Sequence, residues 1–495
     1  MTEPIDIDDR STDEALEESA SSTRQPSGMP RRMFLGTAAA GTAAAVLAAC
    51  GGSNAKAVTT AATPPVTIPQ TAAQATLGVD AEKFALVSEP IINFNALFAA
   101  GASGTAAAFG EVVTAIGQAN SPAGGVTFQS YFDAMNAMGN KLATAAVQSL
   151  KEGHLVTARE RYLRAATYFD QALFFVLGTT TPGAEKEIYN AMNAAWTSAA
   201  GLFDPAFEKV SIPYENTTLP GWFLRAPGAK GRRPTLIINN GSDAQNVDLY
   251  VYGGAAALER GWNALIYEGP GQGANLFIDN MVFRPDWEKV VTPIVDFLSK
   301  RSDVDTKKIA ISGWSFGGEL VARAAAFESR LAAVVLDPGY SDPIMALPAD
   351  LRNLANSGDQ ATVNKAWQEI IIPGATPLQT FTLKKRLEIY TQQAHLEAMA
   401  GKVPTDWYTI ARAAEAFNST SLADKITMPT LVITYQNDGG LMSSGVVPSI
   451  GPLLPKSSAT LVTLGDDTGS EYHCAPMNPQ WRNEVVFDWL DKTLG

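Results

Sequence analysis

Ile309-Ala310-Ile311-Ser312-Gly313-Trp314-Ser315-Phe316-Gly317-Gly318-Glu319 decides how the rest of this 495-residue chain reads. An apolar β-run enters Gly-x-Ser-x-Gly, and small residues that open a helix follow. A serine on so sharp a strand-to-helix turn has little room around it. Gly313 and Gly317 let the two backbones approach while the Ser315 hydroxyl stays exposed, and the helix N-terminus favours negative charge developing nearby. The pattern is a nucleophile elbow with Ser315 as its nucleophile.

A serine hydroxyl is unreactive near neutral pH without a base, and the chain has only three histidines, His154, His395 and His473. A strand predicted over 430–435 leads into Gln436-Asn437-Asp438-Gly439-Gly440, which puts Asp438 in a turn. The last predicted strand, 459–464, is followed by Glu471-Tyr472-His473-Cys474. His473 is the one histidine after Asp438, so nucleophile, acid and base fall in the order Ser315, Asp438, His473. Asp466 and Asp467 compete for the acid role but follow the last strand rather than the one before it. His154 and His395 read as packing or surface residues, and Cys474 as a small buried residue beside the base. The oxyanion donors are expected to be the amides of Phe316 and of Ser242, the latter in Asn240-Gly241-Ser242-Asp243 after a strand over 235–239. Asp243 is expected to fix that loop by a hydrogen bond. Glu268-Gly269-Pro270-Gly271-Gln272-Gly273 lacks the Lys-Ser/Thr ending of a phosphate loop and reads as a strand-to-loop turn near the site.

Working outward, short β-rich runs at 209–214, 221–225, 235–239, 264–267, 308–312, 332–336, 430–434 and 459–464 alternate with helical patterns. The first two suggest an antiparallel hairpin and the others a mainly parallel doubly wound sheet, an α/β fold. Residues 341–424 interrupt this rhythm with a helical insertion, Leu383, Leu387, Tyr390 and Ala394 on one face, expected to cap the site. Residues 76–205 read as an all-helical domain of four or five helices, because Tyr162, Ala165, Ala166, Phe169, Ala172, Leu173 and Val176 recur at helical spacing. No second copy appears at a 34-residue period, which rejects a solenoid. The catalytic domain is then 206–495.

The N-terminus reads as an address. Residues 1–29 are polar and acidic, and Arg31-Arg32 precede a mild Ala/Gly/Thr-rich stretch over 33–49. That stretch is shorter and less apolar than the roughly 20 residues a spanning helix needs. It closes on Leu47-Ala48-Ala49-Cys50-Gly51, which looks like a bacterial lipobox with Cys50 as the lipidated residue. Residues 1–49 are therefore expected to be a twin-arginine lipoprotein signal peptide and 50–75 a flexible Ala/Thr/Pro-rich tether. The expected partners are the twin-arginine translocation machinery and a membrane reached through the lipid on Cys50, with the protein on the outer face of the bacterial cytoplasmic membrane. The formal charge of −13, from 37 basic and 50 acidic residues, opposes nucleic-acid binding. With two cysteines in unlike contexts, neither a disulfide nor a zinc cluster of the Cys/His type is expected, and no metal or organic cofactor is implied.

On these residues the chain from about 206 onward resembles the α/β-hydrolase superfamily. Ala158-Arg159-Glu160-Arg161-Tyr162-Leu163-Arg164-Ala165-Ala166-Thr167-Tyr168, together with Gly241-Ser242-Asp243, resembles the group that holds FrsA-type esterases, dihydropseudooxynicotine hydrolase and fungal polyketide-shortening hydrolases. Asn240 stands where that group usually carries a second glycine. The resemblance implies a site between the helical domain and the hydrolase core, and a small-molecule carbonyl substrate cleaved at an ester or at a C–C bond beside the carbonyl. Val304-Asp305-Thr306-Lys307-Lys308-Ile309 leading into the elbow is also similar to prolyl-oligopeptidase-like serine peptidases, which carry a β-propeller where this chain reads as helices. A non-catalytic surface-binding lipoprotein is a third reading, opposed by an intact Ser315, Asp438 and His473. Trp367, Tyr390, Trp407 and Tyr408 are candidates either for lining an apolar pocket or for core packing.

Overall fold

The computed structural model describes residues 85–120, 124–228, 230–438 and 447–495. The expected export signal, Cys50 and the tether lie outside the described residues, which all belong to one compact unit. Ahead of the first strand, the described residues form five α-helices: α1 Pro90–Gly101, α2 Phe109–Ala119, α3 Phe128–Lys151, α4 Leu155–Phe175 and α5 Glu185–Ala200. Local chemistry sets their starts. Pro90 occupies the first turn of α1, and Thr127 and Ser130 exchange side-chain and backbone hydrogen bonds in a capping box before α3. Where α3 meets α4, a Cβ on Gly139 would lie 2.8 Å from the Phe169 ring, so glycine is what lets the two helices pack closely.

Eight strands follow: β1 Glu208–Tyr214, β2 Thr217–Leu224, β3 Arg233–Asn239, β4 Asn263–Tyr267, β5 Val304–Trp314, β6 Ala333–Asp337, β7 Thr430–Tyr435 and β8 Ala459–Leu464. They form one sheet in the order β1-β2-β4-β3-β5-β6-β7-β8. The β1/β2 and β2/β4 pairs are antiparallel and the other pairs are parallel. Burial follows this layout. β1, at the edge, alternates between exposed and buried, whereas β4 and β6 are buried along their whole length, as strands covered on both faces must be. β5 is longer at both ends than its apolar run. Its charged start is exposed and paired only through a register shift between Arg233 and Thr235, and its end is extended by pairing of Trp314 with Asp337.

The buried side chains of α1–α5 and of the sheet form one continuous hydrophobic cluster. Trp196 of α5 meets Trp222 of β2 edge-on at 6.1 Å, and Phe98 of α1 meets Trp314 at 5.7 Å. The helices thus cover the carboxyl end of the sheet and share its core. The 341–424 insertion has a second core, with Trp367 and Trp407 stacked at 4.9 Å. Trp367 and Trp407 are fully buried there, and Tyr408 packs against that core, so packing accounts for these three. The face expected to be one helix is divided. Leu383 and Leu387 lie in helix Pro377–Leu387 and Ala394 in helix Gln392–Met399, which Thr391 caps by accepting from the Ala394 amide.

Candidate active site

Ser315 follows β5 directly and has φ +58, a left-handed backbone that a non-glycine residue adopts only when its surroundings hold it there. What holds it is close packing. The Ser315 amide donates to the Asp337 carbonyl at 2.7 Å. A Cβ on Gly317 would come 2.6 Å from the Asn240 carbonyl oxygen, and one on Gly241 would come 2.7 Å from both Ser315 Cβ and the Trp314 carbonyl oxygen. Gly313 meets the Gly317 backbone still more closely. Strand, turn and the Asn240–Asp243 loop are therefore fitted to one another through glycines.

The Ser315 hydroxyl is 2.9 Å from Nε2 of His473, and Nδ1 of His473 is 2.9 Å from Oδ1 of Asp438. Asp438 reaches this position because the Asn437 amide donates to the Glu471 carbonyl at 2.8 Å, joining the turn after β7 to the histidine loop. Cys474 and Ala475, at φ +63 and +50, then turn the chain towards helix Pro479–Leu494. Burial disfavours a charged His473, and the negative neighbours outweigh it, so its pKa stands well above that of free imidazole. Cys474 is itself pushed up to about 11 by burial and is a neutral thiol near pH 7, so the raising charge is that of Asp438. Cys474 is fully packed, consistent with a structural residue.

Neither the Ser242 nor the Phe316 amide has an acceptor among the described residues, which leaves both N–H groups beside the elbow for a ligand. Their loop is braced from several sides. Gln272 donates to the carbonyls of Asn240 and Gly241 at 2.8 and 3.1 Å, and the Asn240 side chain bonds the Ala244 carbonyl. Asn240 thus closes the loop with an amide where a glycine would have had none. Asp243 accepts from Ser242 at 2.8 Å and from Arg386 of the insertion at 2.6 Å. Burial works against its charge, but Arg386 and Lys385 hold the carboxyl below the usual range. The Glu268–Gly273 turn lies at the site as expected, and Glu268 ties α5 to it by accepting from Tyr189 and Asn246, each at 2.9 Å.

Sequence reasoning missed Tyr340, whose hydroxyl donates to Oδ2 of Asp438 at 2.8 Å and lies 3.3 Å from Nδ1 of His473. It also missed Arg386 and the carboxyl pair Asp170 and Asp248. The one signal for Tyr340 was its place just beyond β6, the strand beside β5. Of the other histidines, His154 is exposed beside Glu152, while His395 is buried, 2.9 Å from Asn280 and 3.4 Å from Glu185. Glu185, Glu388 and His395 present ligand atoms within 4.8 Å of one another. The buried Lys385 ammonium already donates to Glu388 at 2.8 Å, so this cluster carries a cation of its own.

Ser315 and His473 open onto two cavities. One faces the helices and is lined by Phe94, Phe98, Asp170, Phe174, Asp248 and Trp314. The other faces the insertion and is lined by Ser242, Phe316, Tyr340, Leu387, Ile389 and Tyr390. Of the four aromatic candidates, only Tyr390 lines a cavity at the site.

No family model matches the chain. It is 35% identical over 209 residues to a protein named hydrolase ORFZ of Pyricularia oryzae, covering 40% of this chain and 49% of that one. It is 33% identical over 224 residues to an Acremonium protein named alpha/beta hydrolase ucsC, covering 41% and 45% respectively. The chain thus spans about half the length of these curated relatives. The solved structure of 2,6-dihydroxy-pseudo-oxynicotine hydrolase superposes with a TM-score of 0.57 at 22% identity, covering 81% of this chain and 95% of that one. The chain has the α/β-hydrolase fold, with helices ahead of the sheet where a prolyl oligopeptidase has a propeller.

Proposed function

We propose that the protein is a serine hydrolase acting on a small-molecule carbonyl substrate, either a carboxylic ester or a C–C bond next to a carbonyl. The observation that carries this reading is the series Ser315, His473 and Asp438, joined at 2.9 Å and 2.9 Å on a left-handed elbow with two free amides beside it. His473 Nε2 takes the hydroxyl proton as Ser315 Oγ attacks the carbonyl carbon, and Asp438 holds the imidazolium. The Ser242 and Phe316 amides receive the oxyanion. His473 then gives its proton to the leaving alkoxide or carbanion, which leaves an acyl group on Ser315. In the second half, His473 takes a proton from water, hydroxide adds to the acyl carbon, and Ser315 Oγ departs with that proton. The similarity to proteins named hydrolases supports the same reading.

Intact-mass analysis after exposure to a fluorophosphonate tests it. One stoichiometric adduct is expected, absent from folded Ser315→Ala protein. A folded parent that takes up no adduct would overturn the proposal.

We also infer export by the twin-arginine route and anchoring through Cys50, supported by Arg31-Arg32, the mild 33–49 stretch and Leu47-Ala48-Ala49-Cys50. Mass spectrometry of the membrane fraction from a bacterial host should find a diacylglyceryl group on an N-terminal Cys50, lost in Cys50→Ala. An uncleaved chain confined to the cytoplasm would remove this inference.

A further inference from the structure

The cavity on the helical side of Ser315 has a wall that the hydrolytic steps do not use. Asp170 comes from α4 and Asp248 from the short turn of helix after the Asn240–Asp243 loop, and each carries a carboxyl to the same wall. Both residues line the cavity, yet they are only 7% and 8% exposed. Two buried carboxyls sharing one wall oppose each other's ionisation unless a cation joins them. Burial and the neighbouring acid raise Asp170 well above the usual range, and burial raises Asp248 to about 6. The pair therefore retains a proton.

The surroundings are those in which a cation other than a proton is stabilised. Phe94, Phe98, Phe174 and Trp314 line the same space, which makes its wall largely aromatic. The basic side chains nearby already have partners. Arg386 is bonded to Asp243 and Ser242 and Lys385 to Glu388, both standing over the Phe174 ring at 5.6 Å without lining this cavity, and His473, which does line it, is paired with Asp438. A separate observation also points to a ligand. Trp314 is 6% exposed, yet its indole N–H has no acceptor, a defect that an acceptor atom on a bound molecule would repair.

We propose that this cavity is a subsite for a cationic amine group of the substrate, with Asp170 and Asp248 as its counter-charge and the aromatic rings as its walls. The proposal rests on the hydrolase reading for the position of the reacting carbonyl, at Ser315, but not for the binding of the cation. An uncharged substrate of the same shape leaves the carboxyl pair without a partner, and the subsite discriminates against it.

Two measurements test the proposal. The first compares esters of choline-type alcohols, over a short series of spacer lengths, with isosteres in which the quaternary nitrogen is replaced by carbon. The wild-type protein should prefer the best charged ester by about 30-fold in kcat/KM, the equivalent of the roughly 2 kcal/mol that a desolvated cation gains at such sites. Asp170→Asn and Asp248→Asn should each reduce this ratio to a few-fold. The second is calorimetry with tetramethylammonium on Ser315→Ala protein, where binding is expected and no turnover is needed. Equal use of the two esters, a preference unchanged in both aspartate variants, or calorimetry without binding overturns the subsite. If neither ester is turned over but tetramethylammonium binds, the ester half of the hydrolase reading fails and the subsite stands. Should the aspartate variants not fold, the two wild-type esters and the calorimetry still decide.

Discussion

Tyr340 and His473 share one carboxylate: the phenol donates to Oδ2 of Asp438 at 2.8 Å while Oδ1 faces Nδ1 of the imidazole at 2.9 Å. The two rings also lie nearly parallel, at 15° with centroids 6.1 Å apart. Burial, followed by the Asp438 charge, keeps the phenol protonated and therefore a donor. Asp438 is thus fixed from two sides, and the orientation of His473 depends on both.

Replacing Tyr340 by phenylalanine removes one of these supports without emptying the space. We expect kcat to fall by about tenfold, a part of the hundredfold or more that a positioned general base contributes. The pH profile should move as well. The imidazolium cannot act as a base, so kcat/KM rises as pH passes the raised His473 pKa. Without the phenol, the Asp438 charge acts more fully on the imidazolium, so this limb should shift to higher pH in Tyr340→Phe. A drop in kcat with an unmoved limb would reduce Tyr340 to a spacer.

Gly241 supplies a second test. An alanine Cβ at that position would sit 2.7 Å from Ser315 Cβ and the Trp314 carbonyl oxygen and 3.0 Å from the Phe316 amide nitrogen. Something must move, and what moves is either the nucleophile or an oxyanion donor. Gly241→Ala should lower kcat by roughly a hundredfold or more, with the far-UV circular dichroism retained. Gly117, exposed within α2 with nothing within 4 Å of its would-be Cβ, is the control. Gly117→Ala should raise stability by about 0.5–1 kcal/mol and leave turnover unchanged. Near-normal turnover in Gly241→Ala would show that the loop yields and that its amides are not placed by contact with the elbow.

These residues also mark how far the sequence could be read. Ser315, Asp438 and His473 were legible because an elbow is a local pattern, histidine is scarce, and the turn after the strand before the last singles out Asp438 over Asp466 and Asp467. Tyr340 was not, since only the adjacency of β5, β6 and β7 brings the segment after β6 against the turn that carries Asp438. Arg386 and Asp243 are 143 positions apart, and Asp170 and Asp248 come from different layers, so no spacing rule connects them. Periodicity identified α4 as a helix. It could not show that the helix is packed against the sheet's own core, because its second half, from Ala165 to Phe175, is buried on every side and has no polar face to orient it. In the insertion, the apolar spacing from Leu383 to Ala394 continued through Glu388–Thr391, and what interrupts the helix there is the Thr391 cap, a feature of one residue.

Beneath the elbow, Arg482 places Nε 2.6 Å from Oδ2 of Asp337 and also bonds the Tyr252 carbonyl and the Ser312 hydroxyl, at 2.7 and 3.1 Å. Tyr435 donates to the other Asp337 oxygen. The backbone carbonyl of the same Asp337 accepts from the Ser315 amide. Both charged side chains are buried, so removing one strands the other. Arg482→Met should cost about 3–5 kcal/mol in denaturant unfolding. The double variant Arg482→Met, Asp337→Leu should lose less than the single one, because no charge is then left uncompensated. A double variant at least as unstable as the single would mean that the hydrogen bonds, rather than the charge pair, carry this layer.

Asp248 predicts a dependence of stability on pH whose sign is unusual for a carboxyl. Its folded-state pKa is raised to about 6, chiefly by burial. Asp170, Asp243, Tyr252 and His473 surround the same space, and Lys385 acts on the pair through Asp170. Between the unfolded value and about pH 6 the folded state binds more protons than the unfolded state. The contribution is therefore complete in acid and is lost as pH rises through about 6. The Gln245 amide donates to Oδ2 of Asp248 at 2.8 Å, and an asparagine in its place keeps an oxygen for that bond while carrying no titrating group. Asp248→Asn should therefore raise the melting temperature by about 2 °C or more at pH 8 and by less at pH 4.5. An increment equal at the two pH values would mean that the pair carries no excess proton. The expected gain also explains why a carboxyl at this position needs a reason to be there: above pH 6 it destabilises the protein on its own, and a bound cation removes that cost.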